Sequence, residues 1–186
     1  CLYKLKNGTG IYSVLWDPSA SKGLGDICVQ NVDALNLFWE PGIKDIQKSR
    51  NIFFVELINN DELKATYPEI DELQHLGTSS IDVTRYQFND TVDTSDKSAV
   101  VNWYYKLRSN GRSVLHYVRY VNDILLYASE NDPEYSERGW YDHGLYPFVF
   151  DALFPIAKSP CGCGDIDLAA NDQQQADLLQ TAFIKN

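Results

Sequence analysis

The chain contains no methionine, only four cysteines, and sixteen Lys and Arg against twenty-six Asp and Glu. Each shortage excludes something. A translated product starts with Met, whereas this sequence opens on Cys1 and stops inside a helical pattern at Lys185-Asn186, so the 186 residues are expected to be an excerpt of a longer protein. A formal net charge of −10 leaves few cations to displace counterions from a phosphate backbone, which argues against tight nucleic-acid binding. The same excess of acid favours solubility. No apolar run approaches the roughly 18 residues of a membrane span, and no basic-then-apolar leader precedes a cleavage site. A soluble domain without membrane association is expected. Cys161 and Cys163 are too closely set for an ordinary structural disulfide, and Cys28 falls in a strand pattern. Without a signal sequence, free thiols in a reducing cytoplasm follow.

Aromatic residues, by contrast, are plentiful: twelve Tyr, eight Phe and four Trp. Aromatic and β-branched side chains pack well on pleated surfaces, so the composition favours a β-rich globular chain over a disordered one. Its length suits one well-buried core or two small lobes.

Periodicity divides the chain. Residues Gly10 to Trp16 alternate Ile11, Ser13 and Leu15 with Tyr12, Val14 and Trp16, which predicts a strand. A Ser/Gly/Pro-rich loop then leads to a strand from Asp26 to Val32, and a third strand is expected over Asn51 to Leu57, completing a first meander. Asn59 to Glu62 supplies caps and first-turn acids for a short helix over Asp61 to Tyr67, stopped by Pro68. A second short helix over Ile70 to His75 closes at Gly77, and Ile81 to Phe88 precedes a polar loop from Asn89 to Ser98. The strongest β signal follows. Val100 to Leu107 and Ser113 to Val121 flank Asn110-Gly111, among the best short hairpin signals, and Asn122-Asp123 turns into Ile124 to Ala128. After a polar excursion from Ser129 to Tyr141, an apolar strand is expected between Leu145 and Pro155. Helical spacing then runs from Asp165 to Asn186. The predicted fold is α+β: antiparallel β-meanders with short helices and a C-terminal helix. Its segments are a first lobe over 1–76, a meander lobe over 77–160, and a Gly turn with the start of a longer helix over 161–186.

Candidate chemistry is thin. Cys161-Gly162-Cys163 with Cys28 or a histidine lacks the second ligand pair of a structural zinc site, so Gly162 and Gly164 read as backbone freedom before a helix, with the cysteines as small fillers. The triplet Asp90, Asp93, Asp96 lacks the oxygen spacing, central Gly and closing Glu of a calcium loop. His116 falls on a strand face beside aromatics and His75 at a helix end, where a cation suits the dipole. Asp142-His143 could pair, yet no nucleophile-elbow serine accompanies them. Gly162-Cys163-Gly164 is followed by neither the Lys-Ser/Thr of a phosphate loop nor a dinucleotide glycine pattern, and Asp165 would repel an anion. No catalytic, metal or cofactor-binding residue is assigned, and no enzyme is expected.

The most informative stretch carries no catalytic group. It reads Trp16-Asp17-Pro18, then Gly23-Leu24-Gly25-Asp26-Ile27, then Val32-Asp33-Ala34 through Phe38-Trp39-Glu40-Pro41-Gly42, then Asp45-Ile46, and finally Ala65-Thr66-Tyr67-Pro68. Further on come Trp103-Tyr104, the Asn110-Gly111 hairpin, Gly144-Leu145-Tyr146-Pro147-Phe148, Gly162-Cys163-Gly164-Asp165 and Gln173-Gln174-Gln175. In this order and spacing the pieces resemble the wing region of tailed-bacteriophage portal proteins, with Ala34 standing where a Pro is common. The resemblance implies a structural subunit of a ring, commonly of twelve copies, at one capsid vertex. It serves as the conduit for DNA packaging and ejection without sequence-specific DNA binding, and as a docking platform for the terminase large subunit, capsid and head-completion proteins. Its location would be the virion, assembled in the bacterial host cytoplasm, and the C-terminal helix would lead toward the portal stem. Two alternatives belong to other classes. One is a hydrolase or metal-dependent enzyme using Asp142 and His143 with Cys161 and Cys163; the other is a monomeric β-rich binding module with an aromatic groove.

Overall fold

The computed structural model describes residues 2–68, 96–109 and 111–185. The expected helix over Ile70 to His75, the segment Ile81 to Phe88 and most of the following loop lie outside these residues, as do His75, Asp90 and Asp93. The fold is α+β with antiparallel sheets. In chain order the elements begin with helix α1 (Leu2–Asn7) and strands β1 (Thr9–Asp17), β2 (Asp26–Val32), β3 (Leu37–Trp39) and β4 (Asn51–Asn59). Helix α2 (Asn60–Thr66) precedes β5 (Lys97–Ser109), β6 (Arg112–Val121), β7 (Ile124–Ala128), β8 (Phe148–Ala152), β9 (Phe154–Pro155) and β10 (Gly162–Cys163), and α3 (Asp165–Lys185) closes the series.

Two compact units share the chain without following its order. The first comprises residues 1–34, 41–49 and 147–186; the second comprises 35–40 and 50–146. These units cut across the segmentation at 76 and 160. The expected first meander is also corrected, because β4 pairs with β3 and β5 in the second unit, while β1 takes β8 as its other neighbour. Alternation reveals a strand but does not encode its partner.

Among the described residues the second unit has a five-stranded sheet in the order β3-β4-β5-β6-β7. Its centre is the β5–β6 hairpin, paired down to Ser109 opposite Arg112, with Gly111 at φ +80° as a tight turn requires. Apolar side chains cluster on both faces. On one, Val55, Ala99 and Val101 pack with Phe53, Leu57 and Tyr120; on the other, Leu63 from α2 sits on Val100 and Val121. A polar chain is also buried there. The Tyr117 hydroxyl donates to Asn102 Oδ1 at 2.6 Å, and Asn102 Nδ2 donates to Glu56 Oε2 at 2.8 Å. Because each of these contacts pairs a donor with an acceptor, the buried amide avoids the cost of orphaned polar atoms. The excursion after Ser129 folds back on β6, where the Trp140 N–H donates to Leu115 O at 2.7 Å. Its indole meets Tyr117, Tyr127 and Tyr135 with centroids 4.9 to 5.4 Å apart.

The first unit is built on the sheet β2-β1-β8. One apolar strand was expected between Leu145 and Pro155, but the structure divides it into β8 and β9, because the chain changes partner from β1 to β10 after the Leu153 N–H ends the first ladder on Gly8 O at 2.8 Å. Helix α3 forms where spacing predicted it. Each of its residues with a described side chain is exposed.

Candidate functional site

Three places could carry function: the turn at Cys161 to Gly164, the loop at Asp142-His143 with the cleft beside His116, and the outer face of the small sheet.

The turn is structural in its details. A Cβ on Gly8 would lie 2.2 Å from the Cys163 carbonyl carbon, and one on Gly164 would lie 2.4 Å from Lys6 O. Two backbones therefore touch, clasped by Thr9, whose Oγ1 accepts the Gly162 N–H at 2.8 Å. Backbone freedom was the expected reason for Gly162 and Gly164. Neither adopts positive φ, so close approach is the reason instead. The Gly164 N–H donates to Asp167 Oδ2 at 2.9 Å, so the helix entrance is occupied by its own carboxylate rather than open to an anion. Cys28, Cys161 and Cys163 are free thiols. Burial pushes the Cys161 thiol up, away from the thiolate a nucleophile or metal ligand needs. Among the described residues, no three His, Cys, Asp or Glu side chains gather as metal ligands would.

Asp142 and His143 do not form a pair. The Asp142 carboxylate lies 3.4 Å from Arg138 Nε, and His143 Nδ1 accepts the Leu145 N–H at 3.0 Å while its ring stacks on Tyr141. Both belong to the second unit, whereas Cys161 and Cys163 belong to the first. Near them in the chain, a cleft of about 610 Å³ is lined by Leu107, Arg108, Val114, His116, Glu130, Ser136 and Glu137. His116 is buried, stacks on Tyr105, and places Nδ1 3.2 Å from Ser129 Oγ. Ser129 Oγ also accepts the Tyr117 N–H at 2.9 Å, so one hydroxyl holds both the ring and the strand backbone. Ser129 is fully enclosed, so this hydroxyl positions a ring and attacks nothing.

The third place went unrecognised in the sequence. Strand register puts Tyr12, Val14, Trp16, Ile27, Val29, Asn31, Val149 and Asp151 on one face of the small sheet. The opposite face buries Ile11, Ser13, Val32 and Phe148. On the first face Trp16 is 61% exposed, Ile27 64%, Val29 60% and Val149 51%. The indole is held in place, since a Cβ on Gly25 would fall 2.2 Å from its ring, and Gly25 at φ +80° lets the returning chain pass. Asp17 fixes the loop between the strands by accepting the Ser19 N–H at 2.9 Å and its hydroxyl at 2.6 Å, and these bonds hold its carboxyl below the usual range. The motif Trp16-Asp17 with Gly25-Asp26-Ile27 is thus a hairpin that displays apolar side chains. A signal was present: one row of β1, Tyr12, Val14 and Trp16, is wholly aromatic or apolar, while the row facing inward carries Thr9, Ser13 and Asp17, so the apolar row is the one left outside.

Among the described residues no helix is long and apolar enough to cross a membrane. No family model matches the chain, and no curated protein matches it.

Proposed function

We propose that this chain is the wing region of a tailed-bacteriophage portal protein. In this reading it is a non-enzymatic subunit of a ring at the capsid vertex, through whose axis DNA is packaged and ejected. Terminase, capsid and head-completion proteins are its partners, and the virion is its destination. The observation that carries the reading is the outward display of the resembling segment. Leu24, Ile27, Val29, Leu35 and Phe38 all stand exposed, as does Trp16 before them. Side chains so placed suit contact with neighbouring protein, not a reaction in a cleft.

The chemistry fits that role. Asp142 and His143 are each engaged within their own loop, which leaves the hydrolase alternative without a base–nucleophile pair. The Tyr and Trp cluster around Trp140 is spent on packing the excursion against β6, which weighs against an open aromatic groove. An acidic chain at −10 suits a wall that DNA passes without adhering.

Native mass spectrometry of the full-length protein containing this chain tests the proposal. A closed ring of about a dozen copies is expected, in keeping with the closed cyclic symmetry usual in homo-oligomers. A stable monomer or dimer would overturn it.

A further inference from the structure

Resting on the ring proposed above, we infer that the open face of the β2-β1-β8 sheet is where the next copy of this chain docks. The exposed side chains of Val14, Trp16, Ile27, Val29 and Val149 adjoin one another across three strands. Together they present on the order of 500 Å² of largely apolar surface, near the upper end of the largest patch on an ordinary monomer. A stable interface of standard size takes about 800 Å² from each partner, of which about three-fifths is apolar. The patch supplies that apolar share, and polar neighbours such as Asn31 supply a rim.

Charge selects the occupant. Register places a single carboxylate on this face, Asp151, and Lys4 lies 2.6 Å from it. Two copies of a chain at −10 repel each other over most approaches, but not where a face is neutral. A nucleic acid or an anionic lipid surface finds no unengaged cation there. β2 also borders its sheet without a proline or lysine, the usual guards of an exposed edge. In a ring of more than two members the contact is heterologous, so this face meets a different patch on the next copy.

The test uses the full-length protein. The double variant Trp16→Ser/Val29→Asp is compared with wild type by native mass spectrometry and thermal melting, and hydrogen exchange is followed over residues 26–32 in the wild-type ring before and after dissociation by dilution. The expected result is a wild-type ring with slowed exchange in β2 that quickens on dissociation. The folded variant should lose its ring or need at least tenfold more protein to form it. A wild-type ring whose β2 exchange is unchanged on dissociation, or a folded variant that assembles as wild type does, overturns this inference and leaves the portal reading standing. Should the variant fail to fold, the wild-type exchange decides alone. A wild-type monomer overturns both.

Discussion

The two sheets of this chain share an antiparallel construction and differ in what lies on their faces. The five-stranded sheet has a face covered within its own unit by Leu63 of α2 and by the excursion at Trp140, and on that face Ile52, Val100, Leu115 and Val121 are wholly buried. The three-stranded sheet buries one side and leaves Trp16, Ile27 and Val29 in water on the other. Apolar side chains at similar strand positions therefore do different things. In the larger sheet they stabilise the fold; in the smaller one they form a surface.

The sharpest way to break that comparison is to truncate one residue of each kind. Leu115→Ala empties a fully buried site and is expected to cost about 2–5 kcal/mol by urea unfolding. Val29→Ala removes carbons already in water and should stay within about 0.5 kcal/mol. Equal losses would show that the small sheet is covered by its own chain.

Next in size is Gly8→Ala, which probes the first unit where its stability does reside. The new Cβ would lie 2.2 Å from backbone at Cys163, and φ +76° is itself strained for alanine. A loss of about 2 kcal/mol or more is expected in the same unfolding assay. A neutral result would mean the contact between the Gly8 turn and the Cys163 turn is dispensable.

These positions also show what the sequence disclosed. The β5–β6 hairpin was legible, because alternation and Asn110-Gly111 both act within a dozen residues. So was α3, whose spacing is local. The pairing of β1 with β8 was not, since sequence distance hides it and only shape selects the partner. The role of Gly8 was hidden for the same reason: its need for a bare backbone comes from Cys163 at the other end of the chain. The open face was half legible. Alternation gave the strand, but whether Ile27 and Val29 or their neighbours turn inward depends on what packs beneath, which no local pattern records.

Alkali offers a gentler separation of the two units. Burial raises the phenols of Tyr104, Tyr117, Tyr141 and Tyr146, all in the second unit. Tyr127, in the same unit, is pushed up to about 12 by burial and by its bond to Asp132. An acid whose folded pKa is raised keeps its proton in the folded chain after the unfolded chain has lost it. Stability is therefore whole below about pH 10 and falls as pH climbs from 10 toward 12. Hydrogen exchange should loosen β5–β7 before β1–β2 over that window, and Tyr127→Phe should flatten part of the decline. Loss that begins in β1–β2 would remove the tyrosines as its cause.

The smallest effect on stability belongs to Lys4→Ala. Lys4 reaches Asp151 at 2.6 Å, with side chains 27% and 49% exposed, so the pair lies in water and is worth under about 1 kcal/mol. Its place gives it a second consequence. Asp151 stands on the open face, and without Lys4 its charge is bare where two acidic copies would meet. Melting should hardly change, while assembly of the full-length protein should weaken and recover with added salt, because screening shortens the reach of that repulsion. A drop in melting temperature with assembly intact would place Lys4 among the supports of the first unit instead, and would draw the line between fold and surface on the other side of α1.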